Sequence, residues 1–155
     1  MGESKDSLVL NQYQALTSGA ALLERPEVGK LRLQGKDAID LLDRLSTNDL
    51  TKLSSNLGAS TVLTTNKGRI IDRLIVSHLG AYLLVSCSRA ATDRISQWID
   101  FYTFDEDVVV VNDNRTFTIS IAGPDAVEVV GDLTTDMAGD LPKYGAIEVS
   151  IEGLD

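Results

Sequence analysis

Cysteine is nearly absent: Cys87 is the one thiol in 155 residues. An intrachain disulfide framework is therefore excluded, and a reducing compartment suits the chain. Histidine is equally scarce. His78 has no cysteine or second histidine near it in sequence, and a metal site needs several converging ligands, so no metal site is expected and His78 reads as a polar residue at a strand end. Positive charge is also short. Lys plus Arg number 14 against 23 for Asp plus Glu, a net charge of −9, and such a chain repels phosphate backbones and anionic membrane surfaces. Long apolar runs are missing: stretches such as Val108 to Val111 are far too short to cross a bilayer. Neither a G-x-x-x-x-G-K-S/T nor a G-x-G-x-x-G phosphate loop occurs. Met1 to Asp6 is polar and carries no apolar signal core. With 43% hydrophobic and 24% charged residues, the reading is a soluble cytoplasmic protein that uses neither nucleic acid nor membrane as a partner.

The periodicities that are present alternate between helix and strand. Residues 1–12 read as a flexible terminus. Tyr13, Leu16, Ala20 and Leu23 follow helical spacing, and Pro26 and Gly29 interrupt it. Leu31 and Leu33 suggest a short strand. Ala38, Leu41, Leu42 and Leu45 form the apolar stripe of a second helix, with Asp37 at its positive end. Three strands follow as a meander: 60–65, 70–79 and 82–87, with Asn66-Lys67-Gly68 as the first turn. Ala91, Ile95, Trp98 and Ile99 mark a helix that Ser88 would cap. Strands at 108–111 and 116–122, joined through Asn112-Asp113-Asn114, lead to a helix begun by Gly123-Pro124-Asp125. Ile147, Val149 and Ile151 alternate as a last strand. Hairpins dominate, and hairpins give antiparallel neighbours. The expected class is α+β, a mixed, mainly antiparallel sheet with packed helices.

The segment Asn66-Lys67-Gly68-Arg69-Ile70-Ile71-Asp72-Arg73-Leu74-Ile75-Val76 concentrates charge in an apolar strand. Charge on a buried strand is costly unless it is paired or functional. The plain alternative puts Arg69 and Arg73 on one solvated face and Asp72 on the other. Cys87 reads either as a small buried hydrophobe or as a thiol activated near a helix start.

This segment resembles the folate-binding domain of the glycine cleavage T protein and its relatives. Further matching stretches are Gly29-Lys30-Leu31-Arg32-Leu33, Gly35-Lys36-Asp37-Ala38, Leu45-Ser46-Thr47-Asn48-Asp49, Trp98-Ile99 and Ala122-Gly123-Pro124-Asp125-Ala126. They occur in the family's order over roughly residues 13–130. The resemblance implies a fold of two related α+β halves enclosing tetrahydrofolate, with 13–155 as the N-terminal part. It implies Ser60, Asp72, Arg73, Ile75 and Cys87 as cofactor-binding positions. Where the aminomethyltransferase has Gly-Ile-x-Asp-Asp after the turn, Asp72 matches the first Asp and Arg73 stands in the second position. A carboxylate there would orient the folate amine and stabilise its developing charge; an arginine would oppose it. Ser60 falls about where that enzyme has a tyrosine, and Cys87 about where it has an asparagine. No catalytic residue is assigned.

Three readings stay open. The first is a tetrahydrofolate-binding accessory protein of one-carbon metabolism that supports iron–sulfur enzymes, because the Lys67-Gly68-Arg69 turn is similar to theirs. The second is an authentic glycine cleavage aminomethyltransferase or another folate-dependent one-carbon transferase. The third is an interaction domain that has lost folate. One half of a duplicated fold leaves an apolar face to cover, so a homodimer is expected.

Overall fold

In the computed structural model, which describes residues 5–113, 115–134 and 141–149, helices and strands alternate as the periodicities require. The order is α1 (Lys5–Ser18), β1 (Ala21–Glu24), β2 (Val28–Gln34), α2 (Ala38–Leu45), β3 (Gly58–Thr64), β4 (Ile70–His78), β5 (Leu83–Ser88), a 3₁₀ turn (Arg89–Ala91), α3 (Thr92–Phe101), β6 (Val109–Asn112), β7 (Ile119–Ala122) and α4 (Ala126–Leu133). The class is α+β. Every strand pair among the described residues is antiparallel. No helix among them is long and apolar enough to cross a membrane.

The chain divides into two units. The larger, Pro26–Phe117 with Leu141–Glu148, holds a five-stranded sheet in the order β3-β4-β5-β2-β6. The β3–β4 hairpin closes at Gly68, whose φ of 70° lies in the left-handed region that suits glycine. Its N–H donates to the Thr65 carbonyl at 2.9 Å. One sheet face is the core. Leu31, Leu33, Leu63, Leu74, Val76 and Val85 are fully buried there with Leu41 and Leu42 of α2 and Ile95 and Ile99 of α3. Burying each such side chain contributes roughly 1.5–3 kcal/mol. The stripe Ala38, Leu41, Leu42 works as its spacing predicts.

The smaller unit, Met1–Arg25, Thr118–Asp140 and Val149–Asp155, pairs β1 with β7 in a two-stranded sheet. Here the sequence expectations need correction. The strands at 108–111 and 116–122 do not form a hairpin: β6 pairs with β2, and β7 with β1. Local alternation identifies a strand but not its partner. Leu23 is a strand residue opposite Ser120 rather than part of a helical stripe. The first helix starts at Lys5, ahead of the apolar spacing that begins at Tyr13. No strand forms over residues 147–149, and Ile151 lies outside the described residues. Ser88 makes no side-chain cap bond to the following turn; Asp72 takes its hydroxyl instead. Asp37 stands at the N-cap of α2, the positive end expected from its place in the sequence, and its side chain accepts the Asp107 N–H at 2.8 Å.

Candidate functional site on the open sheet face

Alternation along β4 sorts its side chains. Leu74 and Val76 enter the core, so Asp72 shares their side, while Arg73, Ile75 and Ser77 point to the opposite, open face. The cross-strand register extends that face. Ser60 lies opposite Ile75, Ile75 opposite Ser86, and Ser86 opposite Lys30. Directly paired residues share a face, so Ser60, Ile75, Ser86 and Lys30 form one row. Arg32, two residues from Lys30, belongs to the same face.

The candidate residues therefore split. Ser60, Arg73 and Ile75 come together on the open face. Arg73 Nε donates to Ser60 Oγ at 3.0 Å, and its Nη2 donates to the Tyr144 hydroxyl at 3.2 Å. Asp72 and Cys87 stand on the core side. Asp72 Oδ2 accepts the Ser88 N–H at 2.7 Å, and its Oδ1 accepts the Ser88 hydroxyl at 3.0 Å and the Arg73 N–H at 2.9 Å. Asp72 thus clasps β4 to the end of β5. Cys87 is buried, with Sγ 3.7 Å from the Gly29 carbonyl. Burial, and then the Asp72 charge, push its thiol up to about 12. Of its two readings, the buried thiol is the one the structure supports; a thiol with that pKa is not an activated nucleophile.

Two cations of the open face are already engaged. Lys30 Nζ donates to the carbonyls of Thr116 at 2.9 Å and Phe117 at 2.8 Å, and burial lowers its pKa against the pull of Asp113. Arg32 is salt-bridged to Asp113 at 3.0 Å and sits 4.3 Å from the Tyr82 ring centroid. The Tyr82 hydroxyl donates to Glu148. That hydrogen bond, together with burial, raises its pKa.

Leu141–Glu148 runs along this face. The Tyr144 carbonyl accepts from Ser77 Oγ at 3.2 Å, and Ala146 N–H donates to the Asn56 carbonyl at 3.3 Å. Gly58 makes the approach possible: a Cβ there would lie 1.8 Å from the Tyr144 carbonyl oxygen. Sequence reasoning missed Tyr144, an isolated aromatic in an irregular segment. Its one local signal is the neighbouring Pro142 and Gly145, which bracket a turn through Gly145 N–H to Pro142 O at 2.7 Å.

His78 closes β4, and its Nδ1 accepts the Gly80 N–H at 3.0 Å. It lines a shallow pocket of about 190 Å³ with Lys36 and Tyr82 that includes none of the candidate residues. Among the described residues no cluster of three or more His, Cys, Asp or Glu could hold a metal ion.

A family model described as the GCVT N-terminal domain matches residues 3–155. The chain is 26% identical over 161 residues to a probable aminomethyltransferase of Thermococcus gammatolerans, covering 96% of this chain and 39% of that protein. It is 26% identical over 155 residues to a sarcosine oxidase subunit alpha of Corynebacterium sp., covering 95% of this chain and 16% of that one. Its fold is similar to the crystal structure of glycine cleavage system aminomethyltransferase T from Bartonella henselae. The TM-score is 0.80 and the identity 17%, over 92% of this chain and 39% of that one. The chain thus spans about two fifths of the length of the aminomethyltransferases it matches.

Proposed function

The chain belongs to the GCVT N-terminal domain family, and from this we propose that it binds tetrahydrofolate on the open sheet face, acting in one-carbon metabolism as an accessory protein rather than as an aminomethyltransferase. The donor set suits the ligand. A flat pterin needs an apolar plane with hydrogen-bonding groups at its rim, and Ile75 between Ser60 and Ser86 offers both. Asp72 would contribute from the core side by holding β4 in place, and Cys87 by packing.

The observation that carries the accessory reading is Arg73. It occupies the open-face position where a transferase of this family would need a carboxylate, and it is held there by Ser60 and Tyr144. A cation opposes positive charge developing on an amine, and loss of a charge-stabilising group typically costs about 10²–10⁴ in rate. The Lys67-Gly68-Arg69 turn, similar to that of iron–sulfur-linked folate proteins, supports a place beside iron–sulfur enzymes. Isothermal titration with tetrahydrofolate should give saturable binding. Incubation with an aminomethyl-lipoyl carrier and tetrahydrofolate should give no methylene-tetrahydrofolate; turnover matching an authentic aminomethyltransferase would overturn the accessory role.

A second reading, a folate-dependent one-carbon transferase, is favoured by the aminomethyltransferase relatives that align over nearly the whole chain. The proposal also extends to assembly. Leu8, Tyr13, Val127 and Leu133 of the smaller unit are exposed, and a homodimer at micromolar concentration would cover such surface. Sedimentation equilibrium at the mass of one chain across a wide concentration range would exclude it.

A further inference from the structure

Among the cations of the open face, Arg73 differs in its partners. Lys30 is capped by carbonyls and Arg32 is paired with Asp113. Arg73 donates through Nε and one Nη2 hydrogen to neutral hydroxyls. A guanidinium has five N–H donors, so beyond these two bonds Arg73 keeps further N–H groups on Nη1 and Nη2 that meet no carboxylate among the described residues, and a guanidinium suits a carboxylate because it can bind one bidentately. Lys143 adds a second charge, with Nζ 5.0 Å from the Tyr144 ring centroid. Among the described residues neither Arg73 nor Lys143 meets a carboxylate.

Tyr144 joins the two cations, and its backbone is strained to do so. Its φ is 65°, inside a turn closed from Gly145 N–H to Pro142 O. A bulky residue in this region is an outlier, and such strain clusters at ligand sites. Burial works to raise the Tyr144 phenol pKa, but Lys143 and Arg73 outweigh it and the net direction is down, as a locally positive potential requires. The chain as a whole carries a net charge of −9, so the paired cations here run against its average charge.

We infer that Arg73, Tyr144 and Lys143 form a carboxylate site on the open face, which takes the carboxylate of a small organic acid. The carboxylate has two sources, the glutamyl end of a folate or a free amino acid bound beside it. The first source rests on the folate reading above.

The test is titration of the full chain with N-methylglycine, tetrahydrofolate and the bare ring 6-methyltetrahydropterin, for the wild type and for Arg73→Gln. A melting curve for each variant verifies the fold. Expected are saturable N-methylglycine binding to the wild type, a loss of about tenfold or more in Arg73→Gln, and a clearly smaller loss for the bare ring, which reaches Arg73 only through its hold on Ser60. Arg73→Lys, which keeps the charge but loses the fork, should fall between them. Competition between N-methylglycine and tetrahydrofolate assigns the site to the glutamyl end; simultaneous binding assigns it to a free amino acid. Wild-type protein that binds no N-methylglycine, or an Arg73→Gln variant that binds it as tightly, overturns the site. N-methylglycine binding without any affinity for tetrahydrofolate or the bare ring leaves the site standing and removes the folate reading instead.

Discussion

Asp72 and Arg73 are adjacent in sequence and serve opposite faces of one strand: the carboxylate binds Ser88 on the core side, and the guanidinium reaches Ser60 and Tyr144 on the open side. The pair separates support from recognition, so substitutions at the two positions should give different phenotypes.

Asp72→Ala removes an acceptor shared by the Ser88 N–H, the Ser88 hydroxyl and the Arg73 N–H. Hydrogen bonds to a charged acceptor contribute roughly 1.5–3 kcal/mol. The half-exposed setting discounts that, and the expected destabilisation is about 1–2 kcal/mol by urea unfolding. Arg73→Gln, at an exposed position, should leave the urea midpoint nearly unchanged.

Cys87 makes stability fall on the alkaline side. Its folded pKa of about 12 lies above the ordinary 9.0. The contribution is full below pH 9, where both states are protonated. It is lost as pH rises from there toward 12, because the unfolded chain ionises first. Cys87→Ala should flatten that alkaline slope in urea titrations at successive pH values, and the native thiol should resist iodoacetamide at pH 8 until the chain is unfolded.

Glu106 acts on the acid side. Its hydrogen bond with Arg44, and then the Phe104 N–H, hold its carboxyl down to about 2 from 4.5; the ion pair is 2.5 Å long. The contribution is present above the ordinary carboxylate range and is lost as pH falls through it toward 2. Arg44→Ala should return the Glu106 titration toward about 4.5, followed by carbon NMR of the carboxyl. Titration unchanged in that variant would separate the shift from the ion pair.

Gly58→Ala should release Leu141–Glu148 from the sheet, since the added Cβ meets the Tyr144 carbonyl oxygen at 1.8 Å. Faster tryptic cleavage after Lys143 is expected, with a smaller change in the melting of the core. Equal cleavage rates in the two proteins would mean that the segment is held by other contacts.

What was legible in the sequence is what is local. The β3–β4 turn is encoded by Gly68 and its neighbours, and the α2 stripe by Ala38, Leu41 and Leu42. Facing was legible too, since a period of two puts Asp72 and Arg73 on opposite sides. Distant partnerships were not. Asp113 looked like a turn residue, yet its carboxylate holds Arg32; Ser88 looked like a helix cap, yet its hydroxyl belongs to Asp72. Tyr144 carries no periodic signal because its position depends on a turn and on the absence of a Cβ at Gly58. The alternation of Ile147 and Val149 suggested a strand that the chain does not form there.

The place of β2, between β5 and β6, sets an order of events. The β3–β4–β5 meander needs only short loops to close, whereas β2 joins strands far along the chain, as in the Arg32–Asp113 bond between residues 81 apart. Closing long loops is entropically costly and slows folding. The meander is therefore expected to assemble first and β2 to dock late. Weakening the Gly68 turn should mainly slow refolding, and truncating Leu31 should mainly hasten unfolding. By that order the strand met near the beginning of the sequence would be among the last to find its place.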